Sequence, residues 1–472
     1  MPGFKKTAVF FSSLFLSIIY LNSNATYKGL QPQTPTNTCT FYRWFDPNTT
    51  EKEGKLLLKN CSSCHMAYYD EWINDKHSMS QNNPFFLSVY KDFKKDHPDK
   101  PGNCSLCHNP EAVLSSSRGI PTEQLYAVDL RKINSKKTSG ISCDFCHKIE
   151  EIDQNPLKKG VAGLKILRTC KGMKDIRMGP IKDPIPLDNE ELRYNSIYKT
   201  SLYCAKCHEG SNGNVQTYST FSEWLNSPAA KKGVQCQSCH MVPRSSSRND
   251  MNTIVDNPNV KHKKRPYYEI HNHRFLTNDP HEFRKKYVGL NVEAYRRYTS
   301  TKHNEILTVK VIVTNNNFGH SFPTGSPMRN AVLLVEAKDK NGKELKLLNG
   351  PKLPVYAGNL KGKPGKLFAK ILSETSGEYA TQHGKAGILF RKAAKELGIP
   401  AQDWWNIFIA SDTRIKANEN DMSIYEFAVP RNDVNTIKIT TKLIWRNTWP
   451  GLAKLKRFEL KEDLLIEKIL KV

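Results

Sequence analysis

Leu307, Val309, Val311 and Val313 alternate with Thr308, Lys310, Ile312 and Thr314, the period-two pattern of a strand with one face buried. Ala331 to Ala337 predicts another strand, followed by a tight-turn signal at Lys340-Asn341-Gly342-Lys343. Ile437, Ile439, Leu443 and Trp445 alternate with Lys438, Thr440, Lys442 and Ile444, again strand-like. One helix is expected among the strands, near 385–398, because Leu389, Ala393 and Leu397 share a face and Gly398 and Pro400 mark its end. Leu464 to Leu470 suits a last helix or a strand; periodicity does not choose. These features predict an all-β, sandwich-like domain over 286–472.

The texture before residue 285 is different. No sustained alternation runs through it, and Gln31–Thr36, Asp96–Gly102 and Lys182–Pro186 read as loops. At the start of the chain Lys5 and Lys6 precede an apolar stretch from Ala8 to about Leu21, and Ser23-Asn24-Ala25 offers small residues for cleavage. That pattern predicts a secretory signal over 1–25, with an uncleaved membrane anchor as the alternative. No later stretch is long enough to cross a bilayer, so an exported protein without a membrane span is expected, in an oxidising compartment such as the periplasm of a Gram-negative bacterium.

The chemistry of this half lies in a repeated pentapeptide. Cys61-Ser-Ser-Cys64-His65, Cys104-Ser-Leu-Cys107-His108, Cys143-Asp-Phe-Cys146-His147, Cys204-Ala-Lys-Cys207-His208 and Cys236-Gln-Ser-Cys239-His240 are five copies of Cys-x-x-Cys-His. Composition alone predicts roughly 0.01 copies in such a chain. Two cysteines at this spacing add across the two vinyl groups of one haem, and the next histidine lies beneath the iron as its proximal ligand. A set of zinc knuckles is the alternative, but it does not require a histidine after every second cysteine. The expected cofactors are five haem c groups. Large apolar haems replace aliphatic side chains in the interior, so 26–285 is expected to form a pentahaem domain of short helices joined by long irregular connections. The fold class is therefore α+β and multidomain, with a mainly α and irregular haem domain followed by the all-β domain.

Of the 12 cysteines, only Cys39 and Cys170 fall outside the motifs. A disulfide between them is the simplest use in an oxidising compartment; two unrelated thiols, or a thiolate ligand at Cys170, are the alternatives. Of the 14 histidines, the motifs use five, and the rest are candidates for the opposite face of each iron. His77 follows the first motif closely, with Trp72 available to pack on a porphyrin. His271 and His273, in Ile270-His-Asn-His-Arg-Phe275, follow the last motif, and His273 is preferred. His320, in Gly319-His-Ser-Phe-Pro-Thr-Gly325, lies on a turn of the β-domain and would lock the domains together. His281 is a further candidate, and His97, His262, His303 and His383 rank behind it.

The 71 lysines and arginines against 46 acidic residues give a net charge of +25. Haem propionates would lower it by roughly 5, leaving a basic protein that attracts acidic redox partners or an anionic substrate, unless many of those lysines merely solvate the haem-rich surface and neutralise propionates. Nucleic acid is not an expected partner, and Lys261-His-Lys-Lys-Arg265 reads as a basic loop.

Several phrases carry a family resemblance: Trp72 to His77, Gly140 to Lys148, Met178-Gly-Pro180, Ser201 to His208, Phe221 to Ser227 leading into Cys236 to Met241, Gly319-His320 with Pro323-Thr-Gly325, and Asp412 to Ile415. The chain resembles the multihaem c-type cytochromes grouped with the tetrahaem cytochrome c of ammonia oxidisers and, more distantly, pentahaem nitrite reductase and hydroxylamine oxidoreductase. The resemblance implies bis-histidine haems in closely spaced pairs with electrons moving along them. There are departures. Pro228 follows Ser227 where a histidine would parallel His77, and no histidine stands between Gly179 and Cys204, where Tyr194 and Tyr198 occur. All five motifs end in histidine, so a lysine-ligated catalytic haem has no counterpart. The leading expectation is an electron carrier between redox partner proteins. The alternative is a reductase or oxidase of a small nitrogen or sulfur compound at one haem with an open coordination position.

Overall fold

The structure is a computed structural model that describes residues 61–472 apart from 63, 117–139, 156–157, 168–173, 186–189, 213, 245–262, 276–278, 299–304, 317, 375–395, 402–404 and 431–435. The signal segment, Cys39 and Cys170 with their disulfide, His262, His303, His383 and most of the helix expected near 385–398 lie outside the described residues. The described residues group into one compact unit.

The first half is built from short helices. Met66–Ile73 follows the first motif, and Pro84–Asp96 is started by Asn83, whose side chain accepts from the backbone N–H of Phe85 and Phe86, with Pro84 in the first turn. Each later motif is itself a helical turn: Ser105–His108, Cys143–Cys146, Leu202–His208 and Cys236–His240. Three two-stranded ladders fill the connections. β1 (Ile149–Ile152) pairs antiparallel with β2 (Leu164–Ile166), β3 (Asp175–Gly179) parallel with β4 (Glu190–Tyr194), and β5 (Gly210–Asn212) antiparallel with β6 (Val215–Tyr218).

The second half begins with β7 (Val288–Tyr298) and β8 (Glu305–Asn315), then β9 (Asn330–Lys338), β10 (Leu347–Asn349), β11 (Gly365–Phe368), β12 (Lys370–Glu374), β13 (Ile407–Asp412), β14 (Asn420–Val429), β15 (Lys438–Arg446) and β16 (Glu462–Lys471). They form two four-stranded sheets, ordered β10-β14-β8-β7 and β11-β9-β15-β16, plus the pair β12-β13. Leu307, Val309, Val311 and Val313 are fully buried, as the alternation predicts, and meet Leu333, Val335, Ile439 and Leu443 of the other sheet in one core. The undecided Leu464–Leu470 is strand. The expected turn is present, with Gly342 at φ +80° and its N–H bonded to Asp339 O. β9 is buried on both faces: Val332 and Leu334 turn away from that core toward Trp449 and Leu452, where Phe85 and Val89 of the first half also pack.

The halves are joined by polar ties as well. Lys370, 4% exposed, carries its ammonium into the first half and donates to Gln216 O, Thr217 O and Ser219 Oγ. Trp405 Nε1 donates to Asp96 Oδ2 at 3.0 Å.

Candidate functional site

All five motifs face one cavity of about 1650 Å³, whose wall includes residues of both halves. His77 enters it from the turn after Met66–Ile73. The Asp75 carboxylate accepts from the His77 backbone N–H at 2.9 Å and from its Nδ1 at 2.7 Å. Burial alone would raise the Asp75 carboxyl, but the bonds from His77 hold it below the usual range. The Trp72 indole donates to Ile141 O, and Ile141 N–H to His77 O. These bonds fasten the turn to the lead-in of the third motif. Gly140 makes that approach possible: it sits at φ +62°, and a Cβ there would lie 2.6 Å from His77 O.

The attachment segments lie side by side. Cys61 is within hydrogen-bonding reach of Cys143, Cys107 of Cys207, and Cys204 of Cys236, all of them free thiols. Tyr203 and Tyr198 both donate to Cys146 O at 2.8 Å, which fastens the third segment to the fourth. The five segments are thus neighbours in the order 61, 143, 204 and 236, with 104 set against 204.

The imidazoles meet in pairs. The rings of His77 and His208 have centroids 6.1 Å apart, those of His147 and His273 6.2 Å, and those of His240 and His320 6.4 Å. Each pair joins one motif histidine to one histidine chosen from the sequence. His65 has Tyr68 at 6.2 Å, and His108 has Phe86 stacked on it at 3.7 Å. His271 and His281 also line the cavity; among the described residues no motif imidazole lies against either. His281 instead has Nε2 3.6 Å from Glu282 on the helix Pro280–Lys286. His97 packs on Phe93, away from the cavity wall.

The donor set fits haem c. Nδ1 of His108, His147 and His240 lies 2.9, 2.8 and 2.7 Å from the carbonyl oxygens of Ser80, Met178 and Phe275. A carbonyl only accepts, so Nδ1 carries the proton and Nε2 keeps the lone pair a metal needs. His320 and His271 bond Ser321 O and Met241 O in the same way. Burial, the largest cause in each case, pushes His208 and His273 down to about 3 and His320 to about 4, so these rings are neutral at ordinary pH. Among the described residues no group of three or more His, Cys, Asp or Glu could hold a bare metal ion.

Several supporting residues carry no signal in the chain itself. Glu71 accepts the His273 N–H at 2.8 Å and pairs with Arg244, whose guanidinium lies over the Tyr68 ring. Arg177 meets Asp144, Asp175 and Glu190 beside Cys61. Asp144 lies inside the third motif and Glu71 adjoins the Trp72–His77 phrase, whereas Arg177, Asp175, Glu190 and Arg244 fall outside every segment that stands out in the sequence.

Residues 186–241 match the model of the family described as cytochrome c554 and c-prime, a stretch that contains the last two motifs. Among solved structures, the chain is similar to the crystal structure of a penta-heme cytochrome c552 from Thermochromatium tepidum. The TM-score is 0.55 at 18% identity, over 88% of this chain and 98% of that one, and the likeness bears on the fold. The X-ray structure of Northeast Structural Genomics Consortium target SoR45 aligns over 39% of this chain and 85% of that one at 7% identity, and its TM-score of 0.17 carries no argument. No curated protein sequence matches the chain. Among the described residues no helix is long and apolar enough to cross a membrane.

Proposed function

We propose that this chain, a multihaem c-type cytochrome by its matched segment and its fold, carries electrons between redox partners through five covalently attached haems after export to the periplasm. The observation that carries the reading is the set of three imidazole pairs with centroids 6.1, 6.2 and 6.4 Å apart. Metal–imidazole bonds of about 2 Å each, plus the rings themselves, would put two imidazoles that share one metal roughly 6 Å apart. Bound haem supplies one ferric–ferrous couple per site.

The chain's own residues do the rest. The ten motif cysteines would hold the macrocycles, and His65, His108, His147, His208 and His240 would each supply an imidazole ligand. His77, His273 and His320 would supply the second imidazole to the sites of His208, His147 and His240. The carboxylate of Asp75 on His77 increases the electron-donating power of that ring. The β half, a sandwich-like body, closes the site with His320. The excess of basic residues favours acidic partner proteins.

A second reading has one observation in its favour. Phe86, not an imidazole, stacks on His108; among the described residues no second histidine ring faces that motif. An open position there would suit reduction or oxidation of a small nitrogen or sulfur compound. Spectroscopy of protein matured in a haem c-competent periplasm separates the readings. A carrier shows a mass gain of about 3 kDa and low-spin iron unresponsive to nitrite. A high-spin fraction perturbed by cyanide or nitrite moves the assignment to the enzyme, and colourless protein overturns both.

A further inference from the structure

Three segments far apart in the chain meet at one largely covered carboxylate, 11% exposed. Glu223 lies on the helix Thr220–Leu225, ahead of the fifth motif. Its Oε2 accepts the Ser321 backbone N–H at 3.1 Å and the Thr324 hydroxyl at 2.6 Å. Its Oε1 accepts the Ser219 hydroxyl and Arg414 Nη1, both at 2.6 Å. Arg414 is itself held by both oxygens of Asp412, at 2.7 Å each.

The turn that carries His320 is therefore fixed from two sides. Glu223 holds Ser321 and Thr324. Ile415, next to Arg414, exchanges backbone hydrogen bonds with Phe322 at 2.8 and 3.0 Å. Asn315 Nδ2 adds bonds of 2.9 Å to His320 O and Ile415 O. Gly319 fits against Trp224, whose Cδ1 would stand 3.2 Å from a Cβ at that position. An apolar contact would seal the seam as well as a buried ion pair does, and at lower desolvation cost. What the ion pair adds is direction, because each oxygen lone pair points at one donor.

We propose that Glu223 is a positioning residue: through Ser321 and Thr324 it holds His320 at the distance from His240 at which both imidazoles serve one iron. Ligation at the fifth attachment site then depends on the seam between the halves. The inference rests on the reading of His320 as a ligand, and the experiment keeps the two apart. Full-length holoprotein carrying Glu223→Gln or His320→Ala is compared with the wild type by EPR of the ferric form and carbon monoxide binding to the reduced form, with haem content checked by mass. His320→Ala is expected to turn one site high-spin and open to carbon monoxide, and added imidazole to reverse this. Glu223→Gln is expected to raise carbon monoxide uptake several-fold at unchanged haem content. If His320→Ala changes the spectra and Glu223→Gln does not, the clamp is overturned while the ligand reading stands. If His320→Ala leaves the spectra as in the wild type, the ligand reading fails and the inference with it. Should Glu223→Gln not accumulate, Thr324→Val removes one donor without removing charge, and the same readouts decide.

Discussion

In the β half, the space between the sheets is filled by its own side chains: Leu307, Val309, Leu333 and Leu443 are each 0% exposed. In the first half the motif residues instead line a cavity of about 1650 Å³, and the buried clusters there are smaller, with Phe145, Ile149 and Leu164 of one of them forming part of its wall. One interior is made of aliphatic matter supplied by the chain, and the other, on the proposed function, is shaped around haem. The difference teaches where a hydrophobic pattern can be trusted. It reports on burial among side chains, and is silent where a cofactor supplies the apolar bulk.

The largest effect is expected at the fourth motif, which touches the second, third and fifth. Cys204→Ala with Cys207→Ala should remove about 0.6 kDa of attached mass and stop accumulation of folded protein. Mass spectrometry and the yield of soluble holoprotein check it; a stable four-haem product would break the contrast between the halves. Leu333→Ala is expected to cost about 2–5 kcal/mol, read by denaturant unfolding, with the haem spectra of the native state unchanged.

Acid should act on the seam next. Burial raises the Glu223 carboxyl, but Arg414, Ser219 and Thr324 hold it down at about 2 against an ordinary 4.5. A depressed carboxyl contributes stability that is present above its unfolded value and lost as pH falls through the folded one. Between about pH 4.5 and 2 the wild type should lose at most about 3 kcal/mol from this group, and Glu223→Gln should lack that component in acid titrations followed by circular dichroism. The smallest effect is expected from Asp75→Asn. Removing a carboxylate from His77 Nδ1 lowers the ring's donation and should raise one reduction potential, on the order of tens of millivolts, in a spectroelectrochemical titration.

The long strands are legible because one face of each is buried and the other is not. β16 is ambiguous for the opposite reason: Leu465 is buried, but Leu464 and Ile469 are exposed apolar residues at 43% and 49%, which blurs the period. β9 reads as a continuous apolar run because both faces are covered. The short ladders of the first half leave no trace, since three to five residues are too few for a period to show. His77 is visible beside its motif, with Trp72 five residues before it. Asp75 is not, because a carboxylate two residues from a histidine is ordinary in any sequence. The phrases around Glu223, His320 and Arg414 each stand out, yet their meeting does not, since Glu223 lies 98 residues from Ser321 and 191 from Arg414.

Lys370 has a consequence for how the molecule comes apart. Its ammonium leaves water to satisfy Gln216 O, Thr217 O and Ser219 Oγ, more than 150 residues earlier. Detaching the carboxyl-terminal half would break three hydrogen bonds made by one charged group, each worth more than a neutral one. The halves are therefore expected to come apart together: heating should melt both in a single cooperative transition, and a protease should find no intact fragment to release.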